Sequence, residues 1–269
     1  MSDAPAPSPH YEFAHSCLHQ ESGLVLNRIR ALRDIPAHGV KAGDLGGYVE
    51  SESNLEPGSN AWIAERAFVM GEAQVSGDAL VSGSARVSNF AQIKDSARVS
   101  GRAKVSGRSV IKDRATVLMD ALVGGAACVY EDARISGAAE VNCNAKVSGH
   151  AQVHESACIS DRANVRDHAS VKGHSIICSD ARISGHASIS GNAVISSHRD
   201  YMHFGPFTNN SLWLTAHRDS NQTVRVALGN FAGSVEEFEA YLSRQRSLDS
   251  MARTNIALFL EAVRQTFRV

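Results

Sequence analysis

From Ala61 to Ile195, small and aliphatic residues alternate with polar ones, and the alternation restarts every six residues. One unit reads Ala73-Gln74-Val75-Ser76-Gly77-Asp78: small, polar, aliphatic, polar, then two turn residues. The aliphatic position falls at Ile63, Val69, Val75 and onward to Ile189 and Ile195, and all 23 are Val or Ile. Two residues before each stands Ala, or Ser at Ser109 and Ser175. A period of two puts Ala73 and Val75 on one face of a short strand. Apolar residues two and six apart share no helical stripe, so the segment is not an α-helix. Gly, Asn and Asp at the turn positions tolerate positive φ and let the chain bend after every strand. The pattern predicts a flat-walled solenoid, with strands of about four residues, in which stacked coils bury a face that no single coil buries alone.

The flanks follow other patterns. Pro5, Pro7 and Pro9 mark residues 1–10 as a disordered tail. Residues 11–60 are strand-rich and predict an N-terminal β cap, with Gly46-Gly47 as the turn that seats it on the first coil. The solenoid is expected over 61–197 and a C-terminal α/β module over 198–269. Within the module, Leu212–Ala216 and Val224–Leu228 read as strands. Ser234-Val235-Glu236-Glu237 is a capping box that opens a helix running to about Gln245. Ile256, Phe259, Leu260, Val263 and Phe267 recur at helical spacing and predict a second helix, for a ββαα order.

Periodicity leaves the number of walls per coil open. The unit resembles the hexapeptide repeat of left-handed parallel β-helix proteins. That resemblance implies a mainly β fold, a triangular prism with about 18 residues per coil and about seven to eight coils. It also implies a left hand, against the usual right-handed crossover. At a strand spacing of about 4.8 Å the prism is roughly 35 Å tall. The stretch Val40-Lys41-Ala42-Gly43-Asp44-Leu45-Gly46-Gly47-Tyr48-Val49-Glu50-Ser51, with Asn54-Leu55 and Ala61-Trp62-Ile63, is similar to the start of a bacterial and phage-associated group. That group includes the enterobacterial YdcK-type proteins, classed as acetyltransferases on fold grounds. Trimerisation along the prism axis is implied by the same family habit.

Three walls per coil stack residues 18 apart and turn the sequence into a surface map. One wall carries Lys94, Lys112, Lys146, Arg166 and Arg182 in its outward columns, five cations and no anion. The vertex beside it carries Asp78, Ser96, Arg114, Asp132, His150, His168 and His186. The three histidines form a ladder with about 5 Å between steps. Four readings of the ladder stand side by side. It is a solvated vertex, or an anion groove with Lys94, Lys112, Lys146, Arg166 and Arg182 as ligands. It is a general base for acyl transfer drawn from His150, His168 or His186, or a metal site like that of the γ-class carbonic anhydrases. The last needs histidines converging from two subunits and a His-x4-His spacing, whereas His150 and His154 are spaced His-x3-His, so no metal is expected. A second wall ends in Cys158, Ile176, Cys178 and Val194, an apolar patch expected to face the C-terminal module or a neighbouring subunit.

Composition narrows the field. The 27 Lys and Arg offset 28 Asp and Glu for a net charge of −1, which argues against a DNA or membrane-surface partner. No apolar run has transmembrane length. Five cysteines without framework spacing, and without a CxxC pair, suit reduced thiols in the cytoplasm. No cofactor is called for by a motif. Two functions are left. One is a non-catalytic binding or scaffold protein, phage- or prophage-associated, acting on a host protein through 198–269 or on an anionic small ligand. The other is a CoA-dependent acyl- or acetyltransferase that uses acetyl-CoA in an inter-subunit groove with a vertex histidine. Against the second, catalytic members of the fold interrupt the repeat with a substrate loop, and here 23 units run without insertion.

Overall fold

The computed structural model describes residues 9–20, 23–206, 213–229, 231–245 and 248–268. The repeat folds into 23 two-residue strands, from β4 (Trp62–Ile63) to β26 (Val194–Ile195). They sort into three parallel sheets, each taking every third strand. A residue therefore pairs with the one 18 positions on: Gln74 with Gln92, Val75 with Ile93, and Arg98 with Thr116. Three walls make one coil, and the stack has about eight coils. The regular strands are half the expected length, yet the ladder continues into the bends. Gln74, Ser76 and Asp78 donate their N–H groups to the carbonyls of Ala91, Ile93 and Asp95 at 2.9, 2.9 and 2.6 Å. The inward Ala and Val/Ile columns are fully buried from Ala61 to Ile195.

All these N–H groups point toward the C-terminal end, so the first coil leaves carbonyls open and the last coil leaves N–H groups open. Open backbone groups buried from water are costly. The flanks supply partners of the matching kind. At the start, β1 (Tyr11–Leu18), β2 (Val25–Ala31) and β3 (Leu45–Val49) extend one wall into an 11-stranded sheet. There β3 runs parallel to the first strand of that wall, with Tyr48 opposite Phe68 and Val49 opposite Val69. Buried Asn54 donates its amide to the carbonyls of Gly71 and Ala73, both at 2.8 Å. Buried His10 reaches the Ala61 carbonyl with Nε2 at 3.0 Å. The expected tail over 1–10 thus stops short of His10, and residues 1–8 lie outside the described residues. Gly46 and Gly47 lie within β3, not in a turn. A Cβ on Gly46 would meet the Ile63 carbonyl oxygen at 2.6 Å, and one on Gly47 the Ala67 carbonyl oxygen at 2.6 Å. These glycines let two backbones touch.

At the far end, β27 (Tyr201–Phe204), β28 (Leu214–Arg218), β29 (Val224–Leu228) and β30 (Phe231–Ser234) form an antiparallel sheet in sequence order. Helices α1 (Val235–Arg244) and α2 (Ser250–Phe267) follow. The module therefore has two strands more than the ββαα expectation, and Leu212 lies outside the described residues. The short Tyr-Met-His-Phe and Phe-Ala-Gly-Ser segments lack clean alternation, so only their pairing reveals them. Ser234 caps α1 as expected, accepting from the Glu237 N–H at 3.2 Å. The module has its own core around Phe238, Phe259, Val263 and Phe267.

This sheet covers the last coil's end. Ser188 N–H donates to Thr215 Oγ1 at 2.9 Å, and Ser190 N–H to His217 Nε2 at 3.5 Å. Ala193 bridges Asp219. The module therefore does not fold back over the Cys158, Ile176, Cys178 and Val194 wall: Ile176 and Val194 stay 42% and 38% exposed. The open N–H groups at the coil end compete better for the sheet than an aliphatic wall does.

Candidate functional site

The vertex histidines stack as the 18-residue spacing predicts. The rings of His150 and His168 lie 4.9 Å apart at 13°, and those of His168 and His186 4.6 Å apart at 4°. All three are exposed, because a bend residue in the second turn position points away from the prism axis. Below them the column carries on as an ion pair. Arg114 donates Nε and Nη2 to the two Asp132 oxygens at 2.6 and 2.7 Å, and His150 Nδ1 lies 3.9 Å from Asp132 Oδ2. The Arg114 guanidinium holds the Asp132 carboxyl below its ordinary range.

Above the ladder, a residue from the C-terminal module joins it. Trp213 stacks on His186 at 4.8 Å and 19°, and His203 tilts against Trp213 at 5.9 Å. Tyr201 in turn stacks on His203 and donates its hydroxyl to the Arg182 carbonyl at 2.7 Å. Burial lowers the His203 imidazole, which favours its neutral form. Gly185 makes room for this contact, since a Cβ there would meet His203 Nε2 at 2.5 Å. Aromatic stacks of this kind add about 0.5–1.5 kcal/mol each beyond their buried area. The ladder is thus one continuous column of rings that reaches from the prism into the module. Sequence reading placed the three histidines in line but missed Trp213, His203 and Tyr201. They lie outside the repeat, and only the fold of the module brings them to this vertex.

The five cations sit on the wall beside the column. Lys146, Arg166 and Arg182 are exposed, whereas Lys94 and Lys112 are half-buried. An acidic column runs between this wall and the histidines, and sequence reading did not single it out. Asp95, Asp113, Glu131 and Asp167 occupy the first turn position with φ of 56–61°. Each carboxylate accepts the N–H of the turn residue one coil on, at 3.2, 2.9, 2.5 and 2.9 Å. Asp113 also lies 3.6 Å from Lys112, and Asp167 lies 4.0 Å from Arg166. The column was legible in principle, since these residues recur at multiples of 18. Its neighbours temper the positive charge, so Lys146 and Arg182 are the cations best placed to meet an anion.

His154 and His174 lie on other faces, as their positions in the unit require. All five cysteines are free thiols, and burial pushes the Cys158 thiol up. Among the described residues, no three His, Cys, Asp or Glu side chains gather as a metal would need. No described helix is long and apolar enough to cross a membrane.

The family model of the YdcK beta solenoid repeat matches residues 73–89. The chain carries a YdcK-type solenoid repeat. Its parallel coils have the fold of the hexapeptide-repeat β-helix family, and the matched residues lie in its first and second coils. No curated protein matches the chain. In this YdcK-type solenoid the candidate site is the ring column together with Lys146, Arg166 and Arg182 beside it.

Proposed function

We propose that the protein is a non-catalytic binding scaffold, a rigid post that holds its C-terminal module at one end to meet a partner. One observation carries this reading: the top imidazole of the ladder is stacked against Trp213 of that module. The ladder acts as a docking column, with its rings packed face to face. The uninterrupted repeat supports the same reading, since 23 units without an inserted loop leave a smooth prism. The partner is a protein met through the described parts of 198–269, or an anionic small ligand that uses Lys146 and Arg182. The exposed Ile176 and Val194 are offered as a contact between subunits of the scaffold.

Calorimetric titration with acetyl-CoA tests the reading against acyl transfer. The expected result is no saturable heat, and no acetyl-CoA hydrolysis that His150→Asn, His168→Asn or His186→Asn removes. Saturable binding together with turnover lost in one of these variants overturns it. On the scaffold reading, His186→Ala changes Trp213 emission and loosens the module, while the prism keeps its circular dichroism.

A further inference from the structure

The two ends of the solenoid are finished differently. At the C-terminal end, Thr215, His217 and Asp219 cover the open edge. At the N-terminal end the sheet stops at β1, eight residues long, with β2 on one side and, among the described residues, no strand on the other. Edge strands of soluble proteins are blunted by charged side chains, Pro, a bulge or short length, and of these β1 carries Glu12 and one bulge. Tyr11–Leu18 contains neither Lys nor Pro. Phe13 and Leu18 along it are 40% and 65% exposed.

The pairing with β2 shows which backbone groups face outward. Leu32 N–H donates to the His10 carbonyl and His19 N–H to the Leu24 carbonyl, so those pairs are hydrogen-bonded pairs of the hairpin. Alternation then turns the N–H and C=O groups of Tyr11 and Phe13 outward, and those of Ser16 and Leu18 outward as well. The odd step between Phe13 and Ser16 comes from a bulge, where the register shifts between Phe13 and His15. An ordinary strand that pairs with Tyr11 and Phe13 falls one residue out of step at Ser16 and Leu18. A strand with its own extra residue at the matching place stays in step.

We propose that β1 pairs antiparallel with β1 of a second copy of this chain, about a twofold axis at the bulge. This register sets Tyr11 opposite Leu18 of the second copy and Phe13 opposite its Ser16, with the reverse pairs by symmetry. All four outward-facing residues are then used. The exposed Leu18 side chain lies diagonal to the exposed Phe13 of the other copy and packs against it. On the opposite face, Glu12 lies across from Cys17 of the second copy and diagonal to its exposed His15. The interface is isologous, and the two 11-stranded sheets become one continuous sheet.

Two variants test the register. The Ser16 N–H faces away from β2, so Ser16→Pro removes an intermolecular donor and keeps the hairpin ladder. Light scattering is expected to show the mass of the assembly halved by Ser16→Pro. Leu18→Lys gives the same result by charge and serves if the proline variant does not fold. Glu12 and Cys17 of the second copy form a non-hydrogen-bonded pair, with Cα atoms about 4.5 Å apart, which suits a disulfide. Glu12→Cys under oxidant is therefore expected to give a covalent dimer that reductant releases and that Glu12→Cys/Cys17→Ser does not form. A mass unchanged by both Ser16→Pro and Leu18→Lys overturns the proposal. So does a Glu12→Cys cross-link that survives loss of Cys17, or no cross-link at all. Pairing of β1 with a strand of another protein gives this last outcome.

Discussion

His217 shows how one buried side chain finishes a coil. Its Nδ1 lies 3.4 Å from the Arg218 carbonyl and its Nε2 accepts from Ser190 N–H, an arrangement that only the neutral imidazole can make. Burial pushes its pKa from 6.5 down to about 4. The folded value is the lower one, so between 6.5 and about 4 the unfolded chain binds the extra proton. Stability from this group is full above pH 6.5 and is lost as the pH falls toward 4, by an amount on the order of 3 kcal/mol. Denaturant midpoints of the wild type measured from pH 7 to pH 4 are expected to fall across this window. In His217→Asn, which can still accept the bond but does not titrate, that part of the slope is expected to vanish. Gly47 makes the matching point at the other end. Gly47→Ala drives a methyl group into the Ala67 carbonyl and the Ile63 side chain, and overpacking of this kind costs about 1–3 kcal/mol. A lower thermal midpoint, with the fold retained, is the expected reading. Neither role shows in the sequence. His217 lies in an ordinary strand pattern, and a Gly-Gly pair reads equally well as a turn.

The strands of the solenoid are individually negligible, two residues each, and hold only because neighbours stack on both sides. The repeat is close to one-dimensional: a rung touches the coil below and the coil above. Ile135 is fully buried in that stack. Ile135→Ala is expected to cost about 2–4 kcal/mol through lost contacts and the cavity left behind. Hydrogen exchange should rise first at Arg134–Ile135 and at its partners Thr116–Val117 and Gln152–Val153, with distant rungs protected. Uniform loss of protection along the whole prism would contradict the local picture. The vertex pairs Arg102–Asp120, Arg114–Asp132 and Arg162–Asp180 are bidentate but exposed. They add little to stability each.

For the whole molecule, the ends matter as much as the length. A chain cut after residue 197 keeps every rung but loses the acceptors for Ser188 and Ser190, and it bares the last coil's edge. It is expected to elute as aggregates by size exclusion where the full chain elutes as a discrete species. The hexapeptide pattern by itself determined the strands, the inward Ala and Val/Ile columns, the pairing 18 residues apart once three walls are assumed, and so the alignment of His150, His168 and His186. Those follow from local rules, alternation within a strand and bending every six residues, which the chain repeats until no other arrangement buries its apolar face. Tertiary structure alone decided what meets the ends of the stack. His10 and Asn54 cover the first carbonyls, Thr215 and His217 cover the last N–H groups, and Trp213 continues the imidazole column. The contacts of His10, Thr215, His217 and Trp213 join segments some 27 to 51 residues apart without a shared period. No repeat sets them, because the need they meet, open backbone groups at a coil end, exists only after the coils have formed.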